Sequence, residues 1–181
     1  MIHYLLLPGL GNSSEEHWQT YFENTLPNCT RIIQEDWENP ICTDWIETIE
    51  TYVQKFKSDN IVIITHSLGC IALCHWALKY GKGIKAAFMV APPDIENPYK
   101  PVKLETFCPI PLEPLPFPAL VISSSNDPWA TEEKVEIWAQ NWQTDTHSIG
   151  NAGHINTESN HGKWPEGLEL LHKFMQKHNL Y

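Results

Sequence analysis

Basic residues are scarce in this chain: 12 Lys and Arg stand against 22 Asp and Glu, for a formal net charge of −10. A phosphate backbone is gripped by clustered Lys and Arg, so nucleic acid is not an expected partner. The acidic excess itself speaks only to solubility. Long apolar runs are missing too. None approaches the roughly 18 residues that span a bilayer, so no membrane partner is expected. The apolar start, residues 1–7, is short and follows no basic stretch, unlike a secretory signal. Cysteine is sparse and odd in number: five, at irregular spacing, suggest no disulfide framework. Cys70 and Cys74 lie four apart with no second pair of ligands, which argues against a metal site. Asn12-Ser13-Ser14 and Asn28-Cys29-Thr30 match the glycosylation pattern, but without a secretory signal they read as chance. These absences point to the reducing cytoplasm and to a protein with neither metal nor cofactor.

What is present is a globular composition, 42% hydrophobic and 19% charged, over 181 residues. That length suits one domain spanning 1–181. Short β-branched runs alternate with helical patterns, the signature of an α/β fold with helices on both faces of a parallel sheet. Strands are expected at 2–7, 31–34, 61–64 running on to Ser67, 84–90, 119–123 and 146–149. Helices are expected at 15–26 with Ser14 as N-cap, at 43–57, 69–80, 131–142 and 165–178. The helix at 43–57 is the clearest, with Trp45, Ile49, Val53 and Phe56 on one stripe. Pro165 suits a first helical turn, where its missing N–H costs nothing. Residues 92–118 hold nine of the 14 prolines and should form neither helix nor central strand. A loop of that length is either a strap over a site or a surface crossover.

Chemistry concentrates in Thr65-His66-Ser67-Leu68-Gly69, where a buried strand turns directly into a helix. Such an elbow lifts a serine hydroxyl above the sheet, and it requires small residues two positions before and after. Gly69 fits; Thr65, branched, departs from the pattern. In isolation Ser67 reads equally well as a helix cap. Chain order decides for the nucleophile. A serine needs a base within hydrogen-bond reach, and the base needs a carboxylate to fix its tautomer. In α/β-hydrolases these follow as Ser, Asp or Glu, then His, each beyond a strand end. Asp127 lies past the strand at 119–123 and His154 past the strand at 146–149. Asp94 also follows a strand but sits in the proline-rich stretch. Among nine histidines, His66 should point away from Ser67, His17 and His161 sit near loops bordering the site, and His75, His172 and His178 fall on helices. Oxyanion donors are expected from the backbone N–H of Leu68 and of Leu10, within Pro8-Gly9-Leu10-Gly11-Asn12. That glycine loop lacks a Walker lysine and the spacing of a dinucleotide site.

Leu7-Pro8-Gly9-Leu10-Gly11 with His17-Trp18, the Ser67 segment, Asn126-Asp127-Pro128, Gly153-His154-Ile155-Asn156 and Gly162-Lys163-Trp164-Pro165-Glu166-Gly167 together resemble the small serine hydrolases typified by retinoblastoma-binding protein 9. The resemblance spans essentially the whole chain and looks closer to the bacterial members. It implies a compact three-layer α/β-hydrolase fold with no separate lid and a triad on Ser67, Asp127 and His154. The Leu-x-Cys-x-Glu segment associated with retinoblastoma protein is absent here, so that partner does not carry over.

Trp18, Trp129 and Trp164 lie near the site loops and are candidate pocket walls, although for any single one of them core packing is the favoured reading, since indole rings are among the larger core fillers. Asn156 and Glu158 either orient the histidine loop or cap a turn. The expected activity is cleavage of a small ester, thioester or amide through an acyl-enzyme on Ser67. The alternatives are a hydrolase-fold binding or scaffold protein with little turnover, and a thiol hydrolase using Cys70 or Cys74.

Overall fold

A computed structural model describes residues 1–57, 60–97, 99 and 104–181. Six strands form one sheet in the order β2-β1-β3-β4-β5-β6, with every neighbouring pair parallel. They are β1 (Ile2–Leu7), β2 (Cys29–Arg31), β3 (Asn60–His66), β4 (Ala86–Val90), β5 (Ala119–Ser123) and β6 (Asp145–Ser148). The helices between and after them are α1 (Trp18–Thr25), α2 (Cys42–Lys55), α3 (Leu68–Lys79), α4 (Glu132–Trp142) and α5 (Pro165–Lys177). The architecture is the expected α/β-hydrolase-like one.

Strand periodicity divides the core. Leu5, Leu7, Ile61, Ile63, Ala87 and Met89 pack under α2, α3 and α4. Their neighbours Tyr4, Leu6, Val62, Ile64, Phe88 and Val90 pack under α1 and α5. Both sheet faces are therefore covered, which is why the strands read as near-continuous apolar runs rather than alternating ones. The Trp45, Ile49 and Val53 stripe of α2 is buried as its spacing requires, each such side chain contributing about 1.5–3 kcal/mol. The edge strand β6 is mostly exposed, and its Asp145 pairs with Lys177 at 2.6 Å and His178 at 2.9 Å.

Three elements differ from expectation. The first helix begins at Trp18 rather than Glu15, and its cap is His17, whose Nδ1 accepts the Gln19 N–H, not Ser14. The residues before it are held in a loop instead: the Arg31 guanidinium donates to Asn12 Oδ1, Ser13 O and Thr20 Oγ1. The weak second strand ends at Arg31 rather than beginning there, because Cys29–Arg31 is the segment in register with Tyr4–Leu6 of β1. The proline-rich stretch holds a 3-10 turn at Glu105–Phe107 and buries Leu104, Phe107, Ile110 and Phe117 against the α2 and α3 face. Most of it is thus a packed crossover from β4 to β5. Pro98 and residues 100–103 of that stretch lie outside the described residues.

Candidate active site

Strand order reverses between β1 and β3, since β2 lies outside β1 and all later strands lie beyond β3. Crevices at such switch points, at the carboxyl ends of the strands, are where open α/β sheets hold ligands. The glycine loop follows β1 there and Ser67 follows β3.

Ser67 adopts φ 53° and ψ −126°, a conformation that L-residues rarely hold. The neighbours over-determine it. Its N–H donates to Val90 O at 3.0 Å. Gly9 lies so close that a Cβ there would stand 2.8 Å from Ser67 Cβ, and a Cβ on Gly69 would stand 2.5 Å from Leu7 O. Thr65 fits despite its branch because its fully buried hydroxyl pairs with Cys70 Sγ at 3.0 Å.

His154 Nε2 lies 2.8 Å from Ser67 Oγ, and His154 Nδ1 lies 3.0 and 2.9 Å from the two Asp127 carboxylate oxygens. An Nδ1–H donating to the carboxylate leaves Nε2 as the acceptor for the serine hydroxyl. Asp94 takes no part. Its carboxylate pairs with Lys134 Nζ at 2.9 Å and accepts from Glu96 N.

The loops carrying Asp127 and His154 are stitched to each other. Asn126 Oδ1 accepts the Gly153 N–H at 2.8 Å, Ser124 Oγ accepts the Ala152 N–H at 3.0 Å, and Ser125 N–H donates to Gly150 O. Ile155, a β-branched residue at φ 49°, is held in place by Trp18 Nε1–H, which donates to its carbonyl at 2.8 Å. The His66 ring reaches the His154 carbonyl at 3.0 Å. Asn156 caps a 3-10 turn at Thr157–Ser159 through a reciprocal capping box. Two further residues went unread in the sequence. Arg31 pins the loop after β1, and Gln19, fully buried, accepts from Ser13 and donates to Leu7 O and Ile64 O at the ends of β1 and β3. Their only signal was a polar side chain facing the carboxyl ends of apolar strands.

Two backbone N–H groups near the serine lack acceptors among the described residues. Leu68 opens α3, so its N–H has no intrahelical acceptor and sits at the positive end of the helix. Gly11 N–H donates to Trp37 O and Asn12 N–H to Gly9 O, which leaves the intervening Leu10 N–H without an acceptor among the described residues.

Around Ser67 lies an open cleft of about 530 Å³, lined by polar residues of the β1 and histidine loops and by His17, His66 and His154. Trp129 lines it as expected. Trp18 and Trp164 do not: Trp18 is fully buried and Trp164 is 5% exposed, and they pack on each other and on Phe22 in the core. Burial above all, with the nearby Arg31 cation, lowers His17 from 6.5 to about 4, and burial lowers His66 well below 6.5. Burial also raises the Cys70 thiol to about 12 and the Cys74 thiol well above 9, so neither supplies thiolate at neutral pH. Among the described residues no group of three or more His, Cys, Asp and Glu could hold a metal ion, and no helix is long and apolar enough to cross a membrane.

The serine hydrolase family model matches residues 4–173. The fold is similar to a YdeN-like hydrolase from Pectobacterium atrosepticum, with TM-score 0.88 and 31% identity over 98% of this chain and 92% of that one. It is also similar to the ydeN product of B. subtilis, with TM-score 0.75 and 16% identity over 97% and 100%. Est1E from Butyrivibrio proteoclasticus gives TM-score 0.71 and 14% identity over 99% and 88%. No curated protein matches the chain significantly.

Proposed function

We propose that this chain, which belongs to the serine hydrolase family, cleaves a small ester, thioester or amide through an acyl-enzyme on Ser67. The reading rests on the continuous hydrogen-bonded line from Asp127 through His154 to Ser67 Oγ. Ser67 Oγ attacks the substrate carbonyl as His154 Nε2 takes its proton. The Leu10 and Leu68 N–H groups stabilise the oxyanion, a contribution of about 3–4 kcal/mol per donor in comparable sites. His154 then returns the proton to the leaving oxygen, sulfur or nitrogen. A water, deprotonated by His154, attacks the acyl-enzyme and releases the acid. Asp127 holds the imidazole tautomer and stabilises the imidazolium throughout.

A fluorophosphonate probe tests the assignment. Covalent labelling of the wild-type chain at Ser67, abolished in Ser67→Ala, is the expected result. Undiminished labelling of Ser67→Ala, or none of the wild type, rules the nucleophile out.

A further inference from the structure

Two spaces of different character meet at Ser67. One is the polar cleft already described, about 530 Å³, and it is the one that His154 lines. The other is a small cavity of about 50 Å³, lined by Leu10, Leu68, Pro93, Ile95, Leu104 and Trp129, with Asp94 at its edge engaged by Lys134. His154 does not line it.

Acyl transfer assigns the two spaces. The base that takes the serine proton must hand it to the leaving group, so the leaving group lies on the His154 side. The acyl chain then lies on the other side, beside the oxyanion donors Leu10 and Leu68. Since one water-sized sphere takes about 10–15 Å³, the small cavity accepts roughly three to five heavy atoms. Its walls offer such a chain mostly apolar contacts.

The leaving-group side is built otherwise. His17 is 6% exposed, and its Nδ1 is committed to the Gln19 N–H, so the ring proton sits on Nε2. That Nε2–H has no acceptor among the described residues and belongs to a ring lining the open cleft. Asn12, Ser14, Asn156 and Thr157 add neutral polar groups, and Glu158 is the one carboxylate among the described lining residues. A donor on the cleft wall favours a ligand that carries an acceptor, because covering it with an apolar group forfeits its hydrogen bond to solvent. The carboxylate and the net charge disfavour an anion.

We infer that the substrate is an ester of a short acyl chain, two to about four carbons, with a neutral, acceptor-bearing alcohol held by His17 Nε2–H. Water and the ester give the short carboxylic acid and the free alcohol. The inference rests on the proposed acyl-enzyme chemistry at Ser67.

Two substrate series test it on the intact protein. With p-nitrophenyl acetate, butyrate and octanoate, kcat/KM should fall at least tenfold from butyrate to octanoate. Ile95→Ala, at a half-buried position, should move the optimum to longer chains. An octanoate rate equal to the butyrate rate, or an optimum unmoved in a folded Ile95→Ala, overturns the acyl assignment. On the other side, 2-methoxyethyl acetate and butyl acetate differ by one acceptor oxygen. After correction for their alkaline hydrolysis rates, the methoxyethyl ester should be favoured about fivefold in the wild type and not in His17→Phe, in line with one ordinary hydrogen bond. Equal rates in the wild type overturn the His17 assignment. Fluorophosphonate labelling of Ser67 separates the two levels: if it succeeds while these preferences fail, the hydrolase reading stands and the substrate inference falls.

Discussion

The ring of His66 donates to the backbone carbonyl of His154 at 3.0 Å, across 88 positions of sequence. The residue beside the nucleophile thus anchors the loop that carries the proposed base. The same loop is held one residue later by Trp18, so two buried ring N–H groups fix two successive carbonyls.

Removing the first anchor should cost rate more than affinity. His66→Leu is expected to lower kcat by about 10- to 100-fold with KM nearly unchanged, since a misplaced base slows proton transfer without touching the substrate. Steady-state kinetics on a p-nitrophenyl ester would decide it. Wild-type kcat in a folded His66→Leu protein would mean that Trp18 and the loop-to-loop bonds suffice.

The two candidate acids should separate cleanly. Asp127→Asn keeps the shape but lets His154 take the wrong tautomer, and a loss of about 10⁴ in kcat is expected. Asp94→Asn only weakens a pair with the partly exposed Lys134 and should change kcat less than about threefold. Comparable losses in both variants would contradict the assignment of the acid.

Gly9 and Gly69 are both tight, against different partners. An added methyl at Gly9 would stand 2.8 Å from Ser67 Cβ, 3.1 Å from His66 O and 3.2 Å from Leu68 N, all within the elbow. Gly9→Ala should therefore displace the elbow and spoil the proposed oxyanion site, lowering kcat at least 10²-fold. At Gly69 the methyl meets two backbone carbonyls, Leu7 O at 2.5 Å and Pro8 O at 2.8 Å. Gly69→Ala should cost about 1–3 kcal/mol of stability as an overpacking change. Thermal melts set beside activity assays would expose a reversal.

Acid should weaken the fold through His17. Burial first, then Arg31, His154 and His161, lower its pKa to about 4 from an ordinary 6.5. The unfolded chain therefore binds the extra proton between those values, and the group's contribution is whole above about 6.5 and lost as pH falls towards 4. Its ceiling is about 3 kcal/mol at 1.36 kcal/mol per pKa unit. His66 acts in the same direction. Asp145, held low by Lys177 and His178, acts only below its ordinary 3.8. His17→Asn keeps a capping acceptor but loses the titration. Its melting temperature should fall less between pH 7.5 and 5 than the wild type's, and an equal fall would acquit His17.

What the sequence revealed depended on how local the signal was. The strands at 2–7 and 119–123 are apolar runs closed by turn residues, and their bounds agree with β1 and β5. The order of Ser67, Asp127 and His154 past successive strand ends was visible for the same reason. The start of α1 was not, because Arg31 of a neighbouring strand holds the preceding residues away from helix. Trp18 and Trp164 are near the site in sequence but face the core, and only packing distinguishes the two. Gln19 escaped notice because a glutamine in a helix is ordinarily a surface residue.

The strand order has a kinetic corollary. The glycine loop, the elbow, the acid loop and the base loop follow β1, β3, β5 and β6, and β4 lies between β3 and β5, so the site exists only once five parallel strands have found their register. Contacts so distant along the chain are among the slowest to form. On refolding, esterase turnover should therefore return after helical circular dichroism does, which would make the active site a late reporter of a finished sheet.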